Sequence, residues 1–329
     1  MAVTISEIAK AAGVSNAAVS RYLNGGSLSK EKRELIGAVV KKLGYRPNTF
    51  ARTLRTKKIR QIGVVVPKIN SNAVSAATAG ISEVLSREGY LFLLANTDND
   101  EKKELEYLDL LEASQVAGII LMATILTGAH EKRLSSLEIP VVLVGQRHKR
   151  FPCVYHNDYE AARELDERLL AKGRRRILFI GVTERDVAAG YERKRALRDA
   201  CRSFQLSEDE VLWREGDFSQ DSGYFVAKEA LLQRPDVDGI VCATDDMAVG
   251  AIKAAKEAGL RVPEDVSIVG IGDSWTGQMV DPPLTTAHYF YRESGEDAAE
   301  MLLSLLNSET DVPLRQTMLG YELKIRGSM

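Results

Sequence analysis

The 329-residue sequence predicts two folds in series: an N-terminal all-α helix-turn-helix domain, then a larger α/β domain of two lobes with parallel sheets. Three observations predict it. Glycine and serine break the first 45 residues into short segments with helical apolar spacing. From Gln61 onward, apolar runs alternate with amphipathic stretches. Charge is also divided: residues 1–60 hold thirteen Lys or Arg against three Glu, whereas the remaining 269 hold 31 basic and 43 acidic residues. A net charge of -2 therefore conceals a basic module on an acidic body, and such a module suits a polyanionic partner.

Composition excludes several classes. With 45% hydrophobic and 27% charged residues the chain can bury ordinary cores rather than remain disordered. No apolar run approaches the roughly 18 residues of a membrane span, so no membrane partner is expected. The start, MAVTISEIAK, lacks the layout of a secretory signal. Cys153, Cys201 and Cys242 have neither metal nor redox spacing, and they are expected to be buried thiols in a reducing cytoplasm.

In the first domain, Thr4 to Glu7 fits a capping box, Ile5, Ile8, Ala9 and Ala12 share a face, and Gly13 stops the helix. Ser15 can cap a second helix over 16–23, with Ala18, Val19 and Tyr22 or Leu23 inward. A third follows Ser29, with Leu35, Ile36, Val39, Val40 and Leu43 as its stripe and Gly44 at its close. The short turn between the first two is the helix-turn-helix arrangement. Small residues at Ser15, Asn16 and Ala17 would let the second helix approach DNA bases, and Arg21 lies one turn further along. The segment RPNTFARTLRTKKIR (46–60) has six basic residues and no acid, with Leu54 among them; that is the composition of a minor-groove wedge.

The stretch VTISEIAKAAGVSNAAVSRYLN, followed by LGYRPN and then ARTL, resembles the LacI/GalR family of bacterial transcription repressors, and the resemblance extends over the whole chain. It implies a cytoplasmic repressor whose second helix reads the major groove and whose hinge folds on DNA as a homodimer, a leucine prying open a central base step. The DNA contacts it implies are Thr4, Ser15, Asn16, Ala17, Ser20, Arg21, Asn24, Asn48, Arg52, Leu54 and Lys57. The expected domains are 1–46, a hinge over 47–60, and 61–329. Only three residues follow Arg326, so no C-terminal helical zipper is expected to join dimers into tetramers.

In the larger domain the strand-like runs are 61–66, 90–95, 118–123, 141–145, 176–181, 238–243 and 266–271. Helices are expected near 74–87, 101–113, 158–171, 190–203, 221–233, 246–258 and 293–306. Near-continuous apolar strands separated by helices imply parallel sheets covered on both faces. They divide around Tyr155–Asp158 into lobes of 61–157 plus 288–319 and 158–287 plus 320–329, with a cleft between their strand ends. The resemblance implies a periplasmic-binding-protein-like sugar site there.

Enzyme motifs are absent: no G-x-G-x-x-G follows the first strand, and neither G-x-x-x-x-G-K-[ST] nor H-E-x-x-H occurs. The four histidines lack metal-ligand spacing, and Asp245-Asp246 suits a helix start better than an acid–base pair. No cofactor, metal or catalysis is expected. By position the resemblance assigns effector binding to Arg193 (in RKRAL, with Ala196 replacing a glycine), Phe218, Thr244 and Asp273, the last preceded by Gly272 where many relatives carry an acid. Asn72, Ala73, Val74 and Gln146 complete the set, and the small Ala73 and Val74 leave room for a disaccharide as well as a monosaccharide. Core packing for Phe218 and a surface ion pair for Arg193 are the structural alternatives. The competing functions are a regulator with a protein co-effector and an α/β enzyme with a DNA-binding appendage.

Overall fold

The computed structural model describes residues 3–23, 26–45, 60–308 and 312–329. The chain forms two compact units, Met1–Ile59 and Arg60–Met329.

In the first unit, α1 is Ile5–Ala12, α2 Asn16–Leu23 and α3 Lys30–Lys42. The capping box forms: Thr4 Oγ1 accepts from the Glu7 amide at 3.3 Å, and Glu7 Oε2 accepts from the Thr4 amide at 2.7 Å. Gly13 ends α1 at φ 61°, a left-handed conformation that a side chain disfavours. Ile8, Ala9, Ala12, Ala18, Val19 and Ile36 make the core. The apolar stripe of α3 is narrower than its sequence suggests. Ile36 is buried, but Leu35 is 46% exposed and Leu43 37%. Leu35 points about 100° away from Ile36 and Leu43 stands at the C-cap, while Val39 and Val40 pack half-buried against the core.

The second unit contains, in chain order, β1 (Gln61–Val66), α4 (Asn72–Arg87), β2 (Leu91–Asn96), α5 (Glu101–Ala113), β3 (Gly118–Met122), α6 (Gly128–Ser136), β4 (Val141–Val144) and β5 (Cys153–His156). It continues with α7 (Asp158–Ala171), β6 (Ile177–Gly181), a π-helical turn (Val187–Glu192), α8 (Arg193–Ser203), β7 (Val211–Glu215), α9 (Gln220–Gln233), β8 (Gly239–Cys242) and α10 (Asp245–Glu257). Last come β9 (Ser267–Ile271), α11 (Trp275–Met279), β10 (Thr285–Tyr289), α12 (Tyr291–Asn307), β11 (Gln316–Leu319) and β12 (Tyr321–Lys324).

Two six-stranded sheets result, ordered β11-β5-β4-β3-β1-β2 and β12-β10-β9-β8-β6-β7. All pairings are parallel except β10 with β12. This is the expected pair of lobes. Because β10 stays paired through Tyr289 with Tyr321, the chain returns to the first lobe two residues later than the expected boundary at 287/288. Five strands (β5, β7, β10, β11, β12) and helices α6 and α11 stand where the sequence shows neither an apolar run nor an amphipathic stretch.

Both lobes bring two helices together through reciprocal glycines. A Cβ on Gly80 of α4 would stand 2.1 Å from the Arg292 carbonyl oxygen, and one on Gly295 of α12 would stand 2.0 Å from that of Ala77. In the second lobe, Gly223 of α9 and Gly250 of α10 oppose Met247 and Gln220 in the same way, each at 2.1 Å. Backbone therefore packs on backbone, and no side chain fits between.

Candidate ligand cavity and nucleic-acid interface

The first unit presents one polar face. Ser15, Asn16, Ala17 and Arg21 are exposed and Ser20 is half-buried, while Ala18 and Val19 turn into the core. Ser15 Oγ accepts the Ala18 amide at 3.3 Å, so the start of α2 is capped and its first residues are held at the surface. Positions 16, 17, 20 and 21 share a helix face, which can enter a DNA groove side chains first. Thr4 is exposed but its hydroxyl is engaged in the cap of α1. Asn24, Asn48, Arg52, Leu54 and Lys57 lie outside the described residues.

In the second unit, strand ends of both lobes surround a cavity of about 460 Å³. That lies within the roughly 300–1,000 Å³ of small-molecule sites. From the first lobe come Lys68, Asn72, Ala73 and Val74 after β1, Thr124 after β3, Gln146 after β4 and His156 at the end of β5. From the second come Asp158, Asp186, Arg193, Phe218, Thr244, Asp245 and Asp246, with Tyr289 and Tyr291 at the return to the first lobe.

Arg193 sits at the start of α8 and is only 7% exposed. Its Nε and Nη2 donate to Asp158 Oδ1 at 2.9 and 2.6 Å, and its Nη1 donates to the Ala243 carbonyl. Tyr289 Oη adds a third bond to Asp158 Oδ1 at 3.1 Å, and the Tyr289 ring lies 5.4 Å from the guanidinium carbon. Burial is the largest influence and opposes the arginine's charge, but the Asp158 carboxylate together with Tyr289 and Tyr291 outweighs it and raises the pKa. Burial likewise pushes both tyrosines upward. Arg193 is thus part of a closed ionic unit and not an open fork.

The other polar groups are similarly fixed. Gln146 Nε2 donates across the cleft to Asp186 Oδ1 at 2.8 Å. Burial raises the Asp186 pKa, against the opposing effect of the Ala189 amide. Asp245 accepts from Thr286 Oγ1 at 2.6 Å and from the Ser274 amide at 2.7 Å, yet burial pushes it up to about 6. His156 stacks on Tyr289 with centroids 4.5 Å apart, and burial pushes it down to about 4, so it is neutral near pH 7. Its Nε2 has no hydrogen-bond partner.

Seven of the eight effector positions expected from sequence, Asn72, Ala73, Val74, Gln146, Arg193, Phe218 and Thr244, line this one cavity. Val74 also belongs to the first lobe's core and is 7% exposed. Thr244 spends its hydroxyl capping α10 through the Met247 amide. Asp273 is not brought in: its carboxylate accepts from Arg326 Nη2 at 2.5 Å and faces His288 Nδ1 at 3.0 Å. Gly272 lines the cavity instead, and the positive φ of both residues turns the Asp273 side chain elsewhere. The residues that sequence reasoning missed are His156, Asp158, Asp186, Tyr289 and Tyr291. All lie at or just beyond the C-terminal end of a strand, where open α/β sheets place ligands, and that rule was the available signal. Among the described residues no His, Cys, Asp and Glu cluster suits a metal.

Residues 4–48 match the family of bacterial regulatory proteins, lacI family, and residues 167–329 match the periplasmic binding protein-like domain. The sucrose operon repressor of Staphylococcus xylosus is 33% identical over 93% of this chain and 94% of its own. The HTH-type transcriptional regulator RegA of Clostridium saccharobutylicum is 33% identical over 95% and 96%. The chain belongs to the LacI family. This LacI-family member is a DNA-binding transcriptional repressor with an effector-binding, periplasmic-binding-protein-like domain, and the family is not enzymatic. Among solved structures, the lac repressor dimer bound to operator and the anti-inducer ONPF superposes with a TM-score of 0.88 at 25% identity, covering 100% of this chain and 99% of that one. The CelR–cellobiose complex gives 0.75 at 29%, covering 99% and 100%.

Proposed function

We propose that this repressor binds a pseudopalindromic operator as a homodimer, and that a sugar of mono- or disaccharide size in the cavity sets its affinity for DNA. The observation that carries the reading is a cavity walled by both lobes, with Gln146 and Asp186 bonded across it. A ligand touching both walls favours one lobe arrangement, and by linkage that preference alters DNA affinity. The cellobiose held by CelR and the operator held by the lac repressor dimer support the same assignment.

In this reading the domains are 1–46, 47–60 and 61–329. Asn16 donates and accepts with an adenine, Ala17 meets a thymine methyl, and Arg21 takes a base edge or phosphate. Leu54 wedges the central step. A second copy covers the apolar side chains left on the surface, Leu91 and Leu93 on edge strand β2 with Phe225, Trp275 and Met279 on the second lobe. The buried, unpaired cysteines suit the cytoplasm. No described helix is long and apolar enough to cross a membrane.

The test is operator selection followed by fluorescence anisotropy with sucrose, cellobiose, lactose and ribose. At least one sugar is expected to shift the operator Kd tenfold or so, a coupling of about 1.4 kcal/mol. A panel that moves neither operator affinity nor the melting temperature would overturn the sugar assignment.

A further inference from the structure

Five carboxyl groups line the cavity (Asp158, Asp186, Asp221, Asp245 and Asp246) against two cations, Lys68 and Arg193. The buried cation is already neutralised, because Arg193 is closed onto Asp158. The N-termini of α7, α9 and α10 would attract anions through their backbone amides, but each carries a carboxylate in its first turn: Asp158, Asp221, and Asp245 with Asp246. Helix α4 has no acid there and Lys68 precedes it, yet Asp217 opposes that corner. The Asp217 pKa is lowered by Ser219 first and by the Lys68 charge in part.

The unsatisfied groups are acceptors. All three bonds to Asp158 fall on Oδ1, both bonds to Asp186 fall on Oδ1, and Gln220 meets Asp246 on Oδ1. The second oxygen of each has no protein donor among the described residues. His156 Nε2 is a fourth group without a partner. The ring is neutral near pH 7, so Nε2 can accept a hydrogen bond in one of the two tautomers.

We infer that the cavity takes an uncharged or cationic ligand rich in hydroxyl or ammonium donors and rejects anionic ones, phosphorylated sugars included. A phosphate or carboxylate would set more acceptors and negative charge against a wall that already has both in excess. The inference rests on the cavity being the effector site.

Its test needs no sugar. Cysteine is placed on the two walls of the full-length protein, as Ala73→Cys and Ala188→Cys, against a background of three buried native thiols. Each variant is labelled with a trimethylammonium and a sulfonate methanethiosulfonate reagent, with rates normalised to a free thiol. The cationic reagent is expected to react about tenfold faster at both positions, because fixed charges focus in a cleft. The ratio falls toward one in the Asp221→Asn, Asp246→Asn background. Equal or faster sulfonate labelling at either position overturns the inference, and so does failure of both reagents at both cysteines. The two readings fail separately. An acidic cavity without any sugar response refutes the sugar assignment alone, whereas a sugar response beside sulfonate preference refutes only the charge selectivity.

Discussion

The two lobes are built alike and furnished differently. Each is a six-stranded, mainly parallel sheet, and each presses two helices together through reciprocal glycines. At the cavity they part company: the first lobe supplies mostly short, uncharged groups such as Asn72, Thr124 and Gln146, while the second supplies Asp158, Asp186, Arg193, Asp245 and Asp246. Buried charges must be paired where they stand, so the second wall is fixed before a ligand arrives. Small neutral groups carry no such requirement, and the first wall can close over different ligands. The scaffold repeats, whereas the chemistry is placed on one side.

The change that would break this asymmetry most severely is Asp158→Ala. It leaves Arg193 buried and unpaired and removes the acceptor of Tyr289. A loss of about 3–5 kcal/mol is expected in urea denaturation, the cost of stranding one partner of a buried ion pair. The equivalent truncation on the first wall, Asn72→Ala, should change stability by under about 0.5 kcal/mol, since a surface-type substitution strands nothing.

Acid titration sharpens the same contrast. His156 has a folded pKa of about 4 against 6.5 unfolded, so the stability of its neutral form is lost as pH falls from 6.5 toward 4. Asp245 runs the other way. Its pKa of about 6, against 3.8 unfolded, makes burial least costly when it is protonated, and stability is regained as pH falls from 6 toward 3.8. The two effects nearly offset in the intact protein. His156→Phe should keep the ring packing and unmask Asp245, giving a variant that gains about 3 kcal/mol relative to the parent between pH 6.5 and 4. A parallel pH dependence in parent and variant would refute this assignment.

The glycine pairs test what the lobes share. Gly80→Ala and Gly223→Ala each drive a methyl onto a carbonyl oxygen, and each should cost roughly 1–3 kcal/mol or more, as overpacking does. Similar losses in both variants, measured by thermal denaturation, are expected from like packing; a loss in one lobe alone would break the likeness.

What the sequence made legible follows the same physics. Strands buried on both faces, such as GIILM and ILFIG, announced themselves as apolar runs. VLWRE and YELK are outer strands of their sheet, and TTAHY carries polar groups that bond within the fold, so none reads as a run. Helix α6 buries only His130 and Leu134 and shows no stripe. In the cavity, position-by-position resemblance located Arg193 and Phe218, but it could not show that Asp158, 35 residues away in sequence, neutralises Arg193. It also carried an acid to Asp273, whose direction depends on backbone φ at Gly272 and on Arg326 near the end of the chain. Such pairings are set by tertiary contact, not by local pattern.

A change in stability about as small as that of Asn72→Ala is expected at the one ion pair among the described residues that joins the two walls outside the cavity. Arg185 follows β6 in the second lobe and reaches Glu101 at the start of α5 in the first, with Nη1 and Nη2 each 2.8 Å from a carboxylate oxygen. The arginine side chain is 59% exposed, so solvent screens the pair and Arg185→Ala should lower stability by only roughly 0–1 kcal/mol. Its neighbour Asp186 makes the buried cross-lobe bond to Gln146, so one short loop carries both connections. Loss of the outer bond is therefore expected to act on lobe closure more than on folding. Ligand dissociation should become faster in Arg185→Ala with little change in association, and the charge-swapped pair Arg185→Glu with Glu101→Arg should restore it. Stopped-flow measurement of ligand release in the single and swapped variants decides the matter: unchanged release in the single variant means that the exposed pair does not hold the lobes together.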